Sequence, residues 1–599
     1  MISTTVDGKT ISEIYFKRIR LTPKNTAYSA KIDGSYKPVT WETVHSQILG
    51  IYHSYKKLGI QAGDRVAILS NTRPEWLIAD LTNLCTGVIT IPIYQSNTAE
   101  DVAYLIDHSE SKLVFAEDEA MIKKLETAFS LLKRSITVVS FSDPVSKING
   151  TAPILFSEFA VPSKSKTIEA EFRKNAESIL PDNIASIVYT SGTTGQPKGV
   201  VLSHYNFLGE LRAIIQNFSF SAEDTTLAFL PFAHILGRVE SLIPLMAGTN
   251  LAFAENINTL PQNLMEIKPT VLVSVPRIYE KIFAKIQSEV AAKPKFNQSI
   301  FNWAVEIGRK VARLNSELQS IPIPLALKYK IADQLVFSKI REKFGGNIRI
   351  TVSGGAPLSA TLCEFYHAAG IKIIEGYGLT ETTAAIAVNR PDDFSFGTVG
   401  KSMGNIEFRF APDGEIQTRG DMVFREYYKN QSATAEVFTD DGWFCTGDIG
   451  EMTQRGFLKI TDRKKELIKT SGGKYIAPQK LENLLKGSRF ISQAMVHGDR
   501  EKYVVALLTL NEAEIKKWGT TESIAFDSFE ALTKNPQLQT LLEKEIETVN
   551  TQLAHYETIK KFRILPRDFT IEAGELTPSM KLKRKVCTER YKDYIQSLY

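Results

Sequence analysis

Cysteine is scarce in this chain: Cys85, Cys363, Cys445 and Cys587 are the only four in 599 residues, and none forms a C-x-x-C pair. That excludes a disulfide framework and a paired-thiolate zinc site, and it fits a reducing compartment. Long apolar runs are missing as well. No stretch of about 18 or more apolar residues occurs, and the first residues carry no basic segment followed by an apolar one, so neither a membrane-spanning helix nor a secretory leader is expected. A cytoplasmic location follows as the expectation. Peripheral contact with a membrane surface stays compatible with it, because an amphipathic face needs no such run. An excess of charge of one sign is nearly absent: 72 Lys+Arg against 67 Asp+Glu leave +5, too thin over this length to imply nucleic acid. With 43% hydrophobic and 23% charged residues, collagenous, coiled-coil and disordered chains are excluded too.

What is present is length and alternation. At roughly 150 residues per unit, about four domain-sized pieces are expected. Helical periodicity over Trp41 to Leu58 alternates with short apolar runs, Arg65-Val-Ala-Ile-Leu and Gly87-Val-Ile-Thr-Ile-Pro-Ile, which predict buried strands in an α/β unit. The alternation returns after Pro181, with strands at Ala185-Ser-Ile-Val-Tyr and Gly199-Val-Val-Leu-Ser and a helix from Tyr205 to Phe218. Ile278, Ile282, Ile286 and Val290 recur every four residues on one helix face, expected to be core packing. Glycine punctuates short strand-like runs around Gly397 to Tyr427, and past Asp462 the texture becomes α+β. The expected organisation is an α/β body, 1–462, made of units at about 1–180 and 181–396 with a small β unit at 397–462, followed by a C-terminal α+β domain, 463–599.

The most informative stretch is Tyr189-Thr-Ser-Gly-Thr-Thr-Gly-Gln-Pro-Lys-Gly199, between two predicted strands. Gly192 and Gly195 let backbone N–H groups approach an anion, Thr190, Ser191, Thr193 and Thr194 add hydroxyl donors, and Lys198 adds positive charge. The composition is suited to phosphate. It is not a Walker A loop, because Pro197 stands where that motif has its second glycine and Gly199 where it has Ser or Thr.

This loop resembles the signature of the acyl-adenylate-forming family of acyl-CoA synthetases, luciferases and peptide-synthetase adenylation domains. Five further strings follow in that family's order: Ser353-Gly-Gly-Ala-Pro-Leu, Glu375-Gly-Tyr-Gly-Leu-Thr-Glu381, Asp441-Gly-Trp-Phe-Cys-Thr-Gly-Asp448, Asp462-Arg-Lys-Lys-Glu-Leu-Ile-Lys469 and Leu576-Thr-Pro-Ser-Met-Lys581. The resemblance implies that family's fold, with the C-terminal domain as a mobile cap, and a two-step reaction. A carboxylate and ATP give acyl-AMP and pyrophosphate, and a thiol, usually coenzyme A, then displaces AMP.

By the same resemblance Glu381 is the Mg²⁺ ligand and Thr380 bonds the α-phosphate. Gly354, Gly355, Ala356, Glu375, Gly376 and Tyr377 form the adenine pocket, with Tyr377 as the stacking surface. Asp448 takes both ribose hydroxyls, Arg463 donates to that ribose from across the hinge, and His234 stands near the carboxylate. Lys465 is the pivot of the cap. Lys581 serves acyl-AMP synthesis, and the face bearing Lys469, Gly472 and Gly473 serves thioesterification. The run from Thr270 and the lysine-rich helical segment to Phe344 are similar to the long-chain branch, which implies a fatty acid substrate, and a long alkyl chain requires an apolar tunnel. The alternatives are a fatty acyl-AMP ligase that passes its product to a carrier protein, and a noncatalytic ATP-binding scaffold.

Overall fold

The structure, a computed structural model, describes residues 5–132, 134, 136–190, 196–571, 573–577 and 581–599. Two large sheets build the body. The first has seven strands, in spatial order Ile154–Leu155, Thr137–Ser140, Leu113–Ala116, Arg65–Leu69, Ile89–Ile93, Ile184–Thr190 and Lys198–Ser203. All pairs are parallel except the last. The apolar runs read from the sequence are these parallel strands, covered on both faces.

The second sheet has nine strands, from Lys401–Ser402 at one edge through Ala384–Val388, Ile373–Leu379, Ile350–Ser353, Val271–Ser274, Thr225–Ala228 and Asn250–Phe253 to Thr26–Ile32 and Ser35–Thr40. Strand Thr26–Ile32 pairs in parallel with Asn250–Phe253, so a segment near residue 30 completes a sheet otherwise built after residue 224.

The expected division at 180/181 therefore does not describe the sheets. Ile184–Thr190 and Lys198–Ser203 close the first sheet, while Thr26–Thr40 belongs to the second. Hydrophobic pattern reports that a strand is buried but not which sheet buries it.

Two helices show where the sheets meet. Every residue from Trp76 to Thr86 in the helix Pro74–Thr86 is buried, as is every residue from Gly237 to Ala247 in Ile235–Ala247. A helix covered all round lies between layers rather than on a surface. One core cluster joins Val66 and Ile68 of the first sheet, Trp76 and Leu242 of these helices, and Ala228 and Leu251 of the second sheet. The two helices are clamped by a fully buried pair in which Arg238 donates through Nε to Asp80 Oδ2 at 3.0 Å and through Nη2 to Oδ1 at 2.6 Å.

A four-stranded antiparallel sheet follows: Glu407–Phe410, Glu415–Arg419, Phe444–Met452 and Leu458–Arg463. The small β unit expected from 397 thus begins after Lys401–Ser402, which edges the nine-stranded sheet, and it includes Arg463, which lies in register with Asp448. The chain then turns through Lys464, Lys465 and Glu466 into the C-terminal domain. Its three strands, Ile491–His497, Val504–Leu510 and Ile559–Ile564, carry the helices Pro478–Lys486 and Pro536–Asn550 on a separate core of Leu481, Leu485, Val504, Leu508 and Leu542. Arg277 of the body reaches this domain, donating to the Ser492 carbonyl at 2.9 Å and to Ser492 Oγ at 3.0 Å.

Candidate active site

Parallel strands Ile350–Ser353 and Ile373–Leu379 run side by side with Ser353 opposite Glu375, which brings the Gly354-Gly-Ala356 turn next to Glu375-Gly-Tyr377. Gly355 adopts φ +77, a conformation that side chains rarely take. A Cβ on Gly354 would approach Leu236 to 3.1 Å, and one on Gly355 would lie 4.0 Å from His234 Cε1. Small residues keep this turn open, and His234 borders it.

The Glu375 carboxyl is buried under the turn, where it takes the Leu358 N–H; burial pushes its pKa up to about 8. It supports the turn from beneath. Helix Ala360–Ala368 starts after Ser359, whose side chain makes no cap hydrogen bond.

Past Tyr377 the strand shifts register against Ala384–Val388, and a Cβ on Gly378 would come within 1.5 Å of the Ala384 carbonyl oxygen. Only glycine fits there. The irregularity leads into the short turn Thr380–Thr382, which presents Thr380 and Glu381 at the strand end. Glu381 Oε1 accepts a hydrogen bond from the Tyr427 hydroxyl at 2.8 Å, and the face of that same ring lies 5.0 Å from Lys198 Nζ. Tyr427 thus links the expected metal ligand to the phosphate-loop lysine, with the ring favouring the nearby cation. Sequence reading missed it, because a tyrosine between two strands has the signature of core packing.

Lys198 begins the strand Lys198–Ser203, opposite Thr190 in register, and Thr190 Oγ1 lies 3.5 Å from the Lys198 carbonyl. These two bracket the phosphate loop; Ser191, Gly192, Thr193, Thr194 and Gly195 lie outside the described residues.

Asp448 is 3% exposed. Its Oδ2 accepts from the Tyr377 hydroxyl at 2.6 Å and its Oδ1 faces Arg463 Nε at 3.0 Å. Burial raises the pKa of the Tyr377 hydroxyl well above its usual value, with the Asp448 charge adding to it. Tyr377 is therefore anchored by its hydroxyl to the expected ribose ligand as well as bordering the Gly354-Gly-Ala356 turn. Arg463 was expected across the hinge; it sits instead on the neighbouring strand of the same sheet, paired with Asp448 before the turn begins.

The cap contributes Lys581. Its loop is closed by the Thr577 N–H donating to the Lys581 carbonyl at 2.7 Å, by the Lys581 N–H donating to Thr577 Oγ1 at 3.0 Å, and by the bridge between Leu576 and Leu582. Lys581 is exposed as a residue, but its side chain is crowded by the surrounding protein. Its pKa is lowered first by that crowding and then by the Arg463 charge, against the opposing pull of Asp448, Glu381 and Glu466. His234 feels the same lysine: crowding first and Lys581 second push the imidazole down to about 4, so it is neutral near pH 7. His234 Nδ1 accepts the Leu236 N–H at 3.2 Å, capping helix Ile235–Ala247.

The remaining expected residues are elsewhere. Lys465 is exposed in the connecting turn, between Lys464, which pairs with Asp413 at 2.6 Å and Glu415 at 2.8 Å, and Glu466. Lys469, Gly472 and Gly473 lie on an exposed hairpin with Tyr475. No cluster of three or more His, Cys, Asp or Glu side chains able to hold a metal occurs among the described residues. Glu381, held by Tyr427, is a single hard oxygen donor, which suits an octahedral Mg²⁺ bound mainly by substrate phosphates and water.

A cleft where two α/β sheets, a small β sheet and a cap meet around carboxylates, arginine and lysine is the arrangement of a nucleotide-using enzyme that acts on anions. Residues 15–428 match the family model of AMP-binding enzymes, and residues 465–599 match that of the AMP-binding enzyme C-terminal domain. The long-chain-fatty-acid–CoA ligase FadD15 of Mycobacterium bovis is 36% identical over 608 residues, covering 100% of this chain and 98% of that protein. The peroxisomal long chain acyl-CoA synthetase 6 of Arabidopsis thaliana is 32% identical, over 94% of this chain and 82% of that one. The adenylation domain of a carboxylate reductase from Mycobacterium chelonae superposes with a TM-score of 0.76 at 20% identity, over 100% of this chain and 92% of that one. ATP-bound MatB from Rhodopseudomonas palustris does so at 0.67 and 21%, over 98% and 100%. The chain belongs to the AMP-binding, acyl-adenylate-forming enzymes, in their long-chain acyl-CoA synthetase branch.

Proposed function

We propose that the enzyme activates a long-chain fatty acid with ATP to acyl-AMP and pyrophosphate and then transfers the acyl group to coenzyme A, releasing AMP. The observation that carries this reading is the meeting of Glu381, Asp448, Arg463 and Lys581 in one cleft, since Lys581 acts electrostatically with all three. In the first step a carboxylate oxygen attacks the α-phosphorus and pyrophosphate leaves. Two anions must be brought together, and fixed positive charge at the point of attack lowers that barrier most.

Lys581, whose charge acts on His234, holds the carboxylate and the α-phosphate in this reading. Lys198 and the loop after Thr190 hold the departing phosphates, and Thr380 bonds the α-phosphate. Asp448 takes the ribose hydroxyls by exchanging its bonds from Tyr377 and Arg463, while Gly354, Gly355, Ala356 and Gly376 leave room for the flat base. Mg²⁺, held by Glu381 and the phosphates, would neutralise charge on the leaving group. His234, uncharged at neutral pH, borders the reacting carboxylate without competing for it as a cation. In the second step the coenzyme A sulfur attacks the acyl carbon and AMP leaves, after the cap turns about Lys465 and brings Lys469, Gly472 and Gly473 to the cleft.

The test is AMP formation with coenzyme A across straight-chain acids of increasing length and an aromatic acid. We expect kcat/KM to rise with chain length to a plateau. Equal values for acetate and palmitate, or AMP release that ignores coenzyme A, would overturn the reading.

A further inference from the structure

Helix Ile323–Ala332 and the wide turn Asp333–Phe337 that continues it are apolar on the wrong side. The inner face is fully accounted for. Ala332, Val336 and Phe337 are buried in the core cluster that includes Phe365 and Tyr366, Tyr329 packs against that cluster, and its hydroxyl donates to the Ala368 carbonyl at 3.1 Å. On the outer face Ile323, Leu327, Ile331 and Leu335 recur every four residues and are 77%, 61%, 51% and 47% exposed. Single exposed leucines are ordinary, but four in a row along one helix are not. At about 100° per residue, Lys328 falls on one flank of this stripe and Lys330 on the other.

The surrounding charge is biased to the positive sign. Between residues 293 and 340 there are eight basic and three acidic side chains, an excess equal to the +5 of the whole chain. Two of the three acids are already engaged, Asp333 with Arg341 and Glu306 with Lys310. No carboxylate lies on the stripe itself.

We infer that this face docks onto an anionic lipid bilayer, with Ile323, Leu327, Ile331 and Leu335 entering the headgroup boundary and Lys328 and Lys330 contacting lipid phosphates. An apolar stripe bordered by lysines is the pattern of a helix lying in a membrane interface. The helix does not cross: no helix among the described residues is long and apolar enough to span a membrane. A second copy of this chain is the poorer occupant, because a two-fold contact through this stripe would set lysines against lysines. The inference rests on the stripe and its charge, and holds whichever acid the enzyme activates.

The experiment is cosedimentation of the full-length enzyme with vesicles of equal phosphatidylglycerol and phosphatidylcholine, and with vesicles of phosphatidylcholine alone. The variants are Leu327→Ser with Ile331→Ser, and Lys328→Glu with Lys330→Glu. Wild type should bind the anionic vesicles, more weakly at high salt, and each double variant should lose about tenfold in partitioning. AMP formation with a short soluble acid should stay at the wild-type rate in both variants, reporting an intact fold. Equal partitioning of wild type and variants, no preference for anionic vesicles, or a dimer that the serine variants convert to monomer would each overturn the inference.

Discussion

Glu375 titrates where its burial can be read directly. Its carboxyl binds a proton more tightly in the fold, near pH 8, than the usual value of 4.5 for an unfolded chain, so the neutral form is the one that the buried turn stabilises. That contribution is complete below about pH 4.5 and is lost as pH rises through about 8. Glu375→Gln is neutral throughout and lacks the slope. Urea midpoints should show wild type declining relative to the variant over that window, and parallel curves would refute the assignment. Tyr427 offers a second test at this scale. Tyr427→Phe keeps the ring near Lys198 but removes the hydroxyl that fixes Glu381. A hydrogen bond to a charged group contributes about 1.5–3 kcal/mol, so acyl-AMP formation at limiting Mg²⁺ should slow by about tenfold or more. Pyrophosphate release measures it, and recovery at high Mg²⁺ would separate lost metal positioning from lost folding.

The Lys581 loop depends on an element behind it. Glu575, with no exposed surface, accepts from Arg567 at 2.7 and 2.8 Å, Arg590 at 3.0 Å, the Tyr591 hydroxyl at 2.6 Å and the Thr570 N–H at 3.1 Å. These donors outweigh burial and hold its pKa down to about 2. The loop to Lys581 springs from the next residue, Leu576. Glu575→Gln should lower stability by about 1–3 kcal/mol and slow acyl-AMP synthesis while sparing the conversion of supplied acyl-AMP and coenzyme A. Equal slowing of both half-reactions would reduce Glu575 to a general structural role. Elements of this kind differ in how legible they are. Helix Trp41–Leu58 matches its reading residue for residue, because Thr40 caps it through the Thr43 N–H and Gly59, at φ 70, ends it. Strand Arg65–Leu69 also agrees. Local chemistry writes such boundaries. The placement of Ile184–Thr190 and Lys198–Ser203 in the first sheet, the pairing of Arg463 with Asp448 and the role of Tyr427 depend on distant partners or on another strand, and no local signal carries them.

At the scale of the molecule, Lys581 acts on Arg463, Asp448 and Glu381 of the body, while the Lys469 hairpin is exposed to solvent. The two lysines of the proposed alternation should therefore fail separately. Lys581→Ala should lose acyl-AMP synthesis yet still convert supplied acyl-AMP and coenzyme A. Lys465→Pro, which removes the φ freedom a pivot needs, should hold the present arrangement and do the reverse. Single-turnover assays of each half-reaction distinguish them, and equal loss in both would refute a turning cap.

The parallel pairing of Thr26–Ile32 with Asn250–Phe253 has a consequence for biosynthesis. Ser29 Oγ donates to Asn250 Oδ1 across a separation of 221 residues. At about 5–20 residues per second, the ribosome needs roughly 10–45 seconds to deliver the second strand after the first has emerged. During that interval the hairpin Thr26–Thr40 waits with Ala27 and Tyr28 uncovered and an open edge. The nascent chain is thus most exposed to aggregation through its earliest strands, and a chaperone that holds them would be needed only until residue 253 leaves the exit tunnel.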